Sequence, residues 1–198
     1  MKRLTLGSFV ALLWTASLWG SDAIAGGTPY YYFTEYQPDI DAALQKLRKA
    51  EFAAGRYDPG LSMHEDADLG IEYMFQFDFP PNEGSIAPGP SHGSIDEALS
   101  AAVPSGTRSI LDIRGISAQP MWFHATPLPD SVLVQLFKTA KPSRELVEAV
   151  LLNRTTKSEG FDLDRVFWDP IERGTARYFV TYKDGEPDQI FFVGYSLD

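Results

Sequence analysis

The sequence predicts an α+β fold: a mostly antiparallel sheet with a C-terminal β-hairpin, packed by three or four short helices. Three observations carry this expectation. The runs Ala176–Tyr182 and Gln189–Tyr195 are aromatic and β-branched, and the Asp184-Gly185 pair between them is a favoured tight-turn dipeptide. Ile40, Ala43, Leu44, Leu47 and Ala54 recur at helical spacing along one face. Strand-like and helix-like stretches are segregated along the chain, which favours α+β over a doubly wound arrangement.

Taken in order, the run Tyr30–Tyr36 has high strand preference and is stopped by Pro38. Asp39 then suits a helix N-cap, and Gly55 suits the C-terminal cap of a helix over Ile40–Ala54. Lys46, Arg48, Lys49 and Glu51 fall off its apolar stripe, as does Phe52, which is expected to pack on a neighbouring element. Glu72–Phe79 alternates, with Tyr73, Phe75, Phe77 and Phe79 on one side and Glu72, Gln76 and Asp78 on the other, which predicts a half-buried strand. Residues 80–93 are rich in proline and glycine without periodicity, the pattern of a long surface loop open to proteases.

Ser94-Ile95-Asp96-Glu97 is a capping box opening a short helix that runs to Ala102. Arg108–Ile113 is expected to be a strand. Asp130–Thr139 and Ser143–Leu152 read as two helices, each opened by a capping residue and separated by Lys141-Pro142. Near the end, Ile190-Phe191-Phe192-Val193 is apolar on both faces, which predicts an interior strand covered on each side. Pro187 lacks an amide proton, so regular pairing of the hairpin is expected to resume after it.

The first 25 residues have the three-part grammar of a secretory signal: Lys2 and Arg3, an uncharged run Leu4–Gly20, and small residues at Ala23 and Ala25. Cleavage is expected between Ala25 and Gly26, releasing residues 26–198 as a single soluble globular domain, periplasmic or secreted. An uncleaved anchor helix is the alternative, and it also leaves the rest of the chain outside the cytoplasm.

Of the 198 residues none is cysteine, so an exported form must be stabilised by burial alone, without disulfides, thiolate metal sites or a cysteine nucleophile. The formal net charge is −10, and the expected cleavage removes two cations and one anion, leaving a product yet more acidic. Such a surface repels phosphate backbones and anionic lipid, which argues against nucleic acid and membrane partners.

Strong catalytic signatures are missing. There is no GxSxG elbow, no serine followed three residues on by lysine, and no glycine-rich phosphate or dinucleotide loop, so no cofactor is predicted. His64, Glu65, Asp66 and Asp68 gather metal-capable side chains, but without the spacing of a zinc helix or a calcium loop they read as an acidic loop. His92 lies in the Pro/Gly loop with nothing in the sequence to orient it. His124, beside Trp122 and Phe123, is the best general-base candidate, with Asp112 and one of Ser94, Ser109 or Ser117 completing a conceivable hydrolase triad.

The remaining signal is aromatic. Tyr30 and Tyr32 on a strand, with Trp122 and Trp168, are candidate contact residues, and Asp162 and Asp164 would form a polar rim. The expected function is thus an exported, non-catalytic binding or inhibitory protein for an unknown protein or polysaccharide partner. An extracytoplasmic hydrolase using His124 with a serine or carboxylate is the alternative.

Overall fold

The computed structural model describes residues 27, 29–60, 87–103, 105–153 and 162–197. The expected signal (1–25), the strand expected at Glu72–Phe79 and the cluster His64, Glu65, Asp66 and Asp68 lie outside these residues. Five strands form one sheet in the order β1-β5-β4-β3-β2: β1 Pro29–Glu35, β2 Gly115–Ile116, β3 His124–Pro127, β4 Ala176–Lys183 and β5 Glu186–Tyr195. The pairs β1–β5 and β4–β5 are antiparallel, whereas β2–β3 and β3–β4 are parallel. The sheet is therefore mixed, not mostly antiparallel. The parallel half is built from strands of two and four residues, too short to show periodicity in the sequence.

The hairpin forms as its sequence demands. Asp184 and Gly185 both take positive φ, 52° and 87°, the left-handed pair that matches strand twist in a two-residue turn. The ladder slips between Thr181 and Tyr182, which pair with Gln189 and Pro187, so Asp188 is the extra residue of a bulge. Its carbonyl accepts instead from the Tyr36 N–H at 3.1 Å, extending the β1 pairing.

Helices cover both faces. On one, α1 (Ile40–Ala54) buries Ala43, Leu44 and Leu47 against Tyr30, Tyr32, Ala125, Ala176, Ile190 and Phe192. Asp39 caps it by accepting from the Ala42 N–H, and Gly55 closes it at φ 74°. Two residues assigned by periodicity to its polar side are buried. Arg48 donates to the Leu111 carbonyl at 3.1 Å, and Glu51 accepts from the Arg56 guanidinium, so each charge has a partner. On the other face, α3 (Asp130–Phe137) and α4 (Arg144–Val147) pack Leu133, Leu136, Phe137 and Val147 on Phe179, Phe191 and Val193. The alternate residues of Ile190–Val193 thus enter two different cores.

Several boundaries differ from the sequence expectation for local reasons. α3 stops at Phe137 because Lys138 turns left-handed, φ 60°. After α4 the coil widens into a π turn over Glu148–Leu152, closed by the Asn153 N–H on the Glu148 carbonyl. Arg108–Ile113 is not a strand. Arg108 takes φ 53°, Ser109 accepts from the Leu111 N–H, and Ile110–Asp112 forms a single 3-10 turn. The capping box at α2 (Ile95–Ala101) is present with one change: Glu97 accepts from the N–H of Gly93, not of Ser94. Phe52 stacks on Tyr57 at 5.7 Å in a small satellite core with Ala98 and Leu111. The same Tyr57 orients His92: its hydroxyl meets His92 Nδ1 at 3.0 Å and accepts from the Ser91 N–H.

Candidate functional site

The loop between β2 and β3 presents the largest adjacent pair of exposed apolar side chains among the described residues. Parallel neighbours ordinarily need a crossover of a dozen or more residues. Here only residues 117–123 separate Ile116 from His124, and the chain reverses by putting Phe123 in the left-handed region, φ 62°. That conformation is costly for a residue with a β-carbon and persists only when its surroundings over-determine it. They do. The Phe123 N–H donates to the Gly174 carbonyl at 2.7 Å, its own carbonyl accepts from the Arg114 N–H at 2.6 Å, and the His124 N–H donates to the Met121 carbonyl at 3.2 Å.

Holding the loop in this shape turns Met121 and Trp122 outward, 47% and 61% exposed, while Phe123 and His124 are half-buried and Ala125 and Thr126 beyond them are buried. Trp122 meets Phe123 edge-on with ring centroids 6.0 Å apart, and the Arg114 guanidinium lies over the Phe123 ring at 4.9 Å. The Arg114 backbone is fixed in turn by Gln45, whose side-chain amide donates to its carbonyl at 2.9 Å. Indole, phenyl and guanidinium thereby form one continuous surface at the β2 edge of the sheet.

His124 sits at the margin of this surface. Its Nδ1 lies 2.8 Å from the Trp122 carbonyl, and because a carbonyl only accepts, Nδ1 carries the proton and donates. A β-carbon at Gly115 would lie 3.5 Å from His124 Nε2 and 3.6 Å from an Asp41 carboxylate oxygen, so the glycine leaves the space those two groups share. Asp41, for which the sequence carries no site signal, thus borders the same glycine as the imidazole edge.

The triad residues are dispersed over other tasks. Asp112 is 1% exposed and accepts on one oxygen from the Thr107 N–H at 2.8 Å and the Thr107 hydroxyl at 2.9 Å. Thr107 joins it to Ser109, hydroxyl to hydroxyl at 2.9 Å, so Asp112 and Ser109 meet in the core as a brace for the 3-10 turn. Ser94 caps α2 and Ser117 accepts from the Gln119 N–H. The hydrogen bond of the His124 ring goes to none of them.

The aromatic candidates also separate. Tyr30 and Tyr32 are 0% and 4% exposed and belong to the α1 core, not to a stacking platform, because helices cover the sheet on that side. Burial holds both phenols well above their ordinary pKa, with Asp112 and Tyr32 adding to the effect at Tyr30, and Glu51 at Tyr32. Trp168 is half-buried, edge-on to Phe167 at 4.9 Å and to Tyr195 at 6.0 Å. Asp162 accepts from the N–H groups of Asp164 and Arg165, capping the π turn Asp164–Trp168, while Asp164 is exposed. Of the six contact residues expected, Trp122 alone stands on an open apolar surface. Its neighbours Met121 and Phe123 had no signal in the sequence beyond proximity to it, and Arg114 had none.

Among the described residues no three His, Asp or Glu side chains cluster so as to hold a metal ion, and no helix is long and apolar enough to cross a membrane. No family model, curated protein or solved structure matches the chain.

Proposed function

We propose that this protein is a non-catalytic binding protein that acts outside the cytoplasm, and that the surface built from Arg114, Met121, Trp122 and Phe123 is its contact with a protein partner. The observation that carries this reading is the combination of exposure and rigidity at Trp122. A large indole is held in solvent by a backbone conformation fixed through three hydrogen bonds. Tryptophan, methionine and arginine are the side chains enriched at protein interfaces, and a pre-ordered anchor loses little entropy on binding. The export signal read in residues 1–25 supports the location.

The test is retention of a partner from an extracytoplasmic extract on immobilised wild-type protein and on Trp122→Ala and Met121→Ser variants. Loss of an interface anchor typically weakens binding by about 2 kcal/mol or more, about thirty-fold. The expected result is a partner lost on both variants and lost when the extract is treated with protease. A ligand that survives protease and is destroyed by glycosidase makes the partner a polysaccharide instead. Turnover of an ester, peptide or glycoside that disappears in His124→Ala overturns the non-catalytic reading.

A further inference from the structure

β1 lies at one edge of the sheet, and among the described residues it pairs with β5 alone. Its register is unbroken from Pro29 opposite Tyr195 to Glu35 opposite Gln189, and the Tyr36 N–H on the Asp188 carbonyl continues it by one step. In an antiparallel ladder alternate residues exchange both hydrogen bonds with the partner strand. The Tyr36–Asp188 bond therefore assigns Tyr30, Tyr32 and Thr34 to β5, and leaves the N–H and C=O groups of Tyr31, Phe33 and Glu35 facing away from the sheet. Proteins commonly guard such an edge with lysine, an internal proline, or a bulge that twists it away. β1 has none of these: its only proline is at the first position, its register is regular, and its one charge is Glu35 at the end.

We infer that β1 pairs with β1 of a second copy of this chain, antiparallel and centred on Phe33, so that two five-stranded sheets become one continuous sheet. The register selects this occupant. The outward groups form the odd-numbered set 31, 33 and 35, which is symmetric about Phe33. A two-fold axis there places Phe33 opposite Phe33 and Tyr31 opposite Glu35, twice, and satisfies all three outward residues of each copy. The side chains agree with the backbone: the phenyl rings form a cross-strand aromatic pair, and each Tyr31 stands opposite Glu35, whose carboxylate already accepts on one oxygen from Lys46 of its own copy at 3.0 Å. Arg144, over the Phe33 ring at 4.5 Å, covers the pair from the helix side and is itself held by Glu148 at 2.7 Å. A foreign strand needs matching aromatic and polar positions of its own. A second copy supplies them by symmetry.

The absence of cysteine makes the test clean. Light scattering on the purified protein over a hundred-fold concentration range is expected to show the mass rising from one chain to two. Glu35→Pro removes one outward N–H without touching the ladder to β5, and is expected to hold the mass at one chain with an unchanged circular dichroism spectrum. Residues directly opposite in a hydrogen-bonded antiparallel pair have α-carbons about 5.5 Å apart, within disulfide reach. Phe33→Cys is therefore expected to oxidise to a covalent dimer at least ten-fold faster than Asp184→Cys at the exposed hairpin tip. A wild-type mass of one chain throughout, a dimer unaffected by Glu35→Pro, or equal oxidation of the two cysteine variants would each overturn the inference.

Discussion

The Tyr30 hydroxyl lies against Gly194, its antiparallel partner on β5, so closely that a β-carbon at position 194 would sit 2.7 Å from the phenol oxygen. The Thr175 carbonyl would be 2.6 Å from the same atom. Glycine is required there by close approach, since the hydroxyl end of a buried tyrosine and the Thr175 carbonyl take the space a side chain would fill. The hydroxyl has no hydrogen-bond partner, so the contact is one of packing.

Gly194→Ala is accordingly expected to destabilise the fold by about 1–3 kcal/mol, the usual cost of overpacking, read as a lower urea midpoint at unchanged slope. Tyr30→Phe removes a buried hydroxyl that makes no hydrogen bond and is expected to leave the midpoint unchanged or raise it. The Thr175 carbonyl at 2.6 Å and the Tyr30 ring carbon Cζ at 2.8 Å would still meet the new β-carbon in Tyr30→Phe, so the double variant should keep most of the Gly194→Ala loss. Near-complete recovery in the double variant would show that the hydroxyl alone, and not the approach of ring and strand, requires the glycine.

The same two buried phenols set an alkaline limit. Tyr30 and Tyr32 have folded-state pKa values well above 10.0, chiefly through desolvation. In the unfolded chain they ionise near pH 10, so above that pH the unfolded state binds fewer protons than the folded one and stability falls as pH rises. Each contributes a slope of up to about 1.4 kcal/mol per pH unit in that range. Urea melts at pH 9, 10 and 11 should show the decline, and Tyr30→Phe should reduce its slope.

The legible parts of the fold are those in which local chemistry and tertiary environment coincide. α1 announces itself because Asp39 and Gly55 bracket a single apolar face, and the hairpin because Asp184-Gly185 supplies the only turn that two aromatic strands need. Arg108–Ile113 misleads because Ile110, Leu111, Asp112 and Ile113 are all buried, Leu111 in a different cluster from Ile110 and Ile113. Burial on every side imitates an interior strand, whereas the turn is fixed by the left-handed Arg108 and the Ser109 cap, neither of which a hydrophobic pattern records. Tyr30 and Tyr32 are visible as strand residues, but their exposure depends on α1, a separate element. At the site, Trp122 was legible as a candidate contact residue from its aromatic side chain alone. Arg114 joins it only because β2 and β3 run parallel, a relationship set by the fold and not by spacing.

Asp112 carries a different kind of dependence. It is a buried carboxylate serving two Thr107 donors, and its other oxygen would be 2.7 Å from a β-carbon at Gly106. Asp112→Ala strands the Thr107 amide in the core and is expected to cost about 2–4 kcal/mol, the range for losing hydrogen bonds to a buried charged group. Asp112→Asn retains an acceptor oxygen for Thr107 and should cost clearly less. Equal losses in chemical denaturation would show that the charge, and not the acceptor geometry, holds the 3-10 turn.

The two tryptophans of the described structure should separate stability from recognition. Trp168 is half-buried and packs edge-on against Phe167 and Tyr195 at the margin of the core formed with α3 and α4, so Trp168→Ala is expected to cost about 1–3 kcal/mol. Its indole N–H is buried without a hydrogen bond, so Trp168→Phe should recover much of that loss by refilling the space without stranding a donor. Trp122 is mostly in solvent, and the hydrogen bonds that shape its loop run through backbone groups that a side-chain truncation does not remove. Trp122→Ala should therefore change stability by no more than about 0.5 kcal/mol, as surface substitutions generally do. A large stability loss in Trp122→Ala would mean that the indole supports the Phe123 turn through the edge-on contact. Any accompanying loss of a partner would then report a collapsed loop instead of a missing anchor.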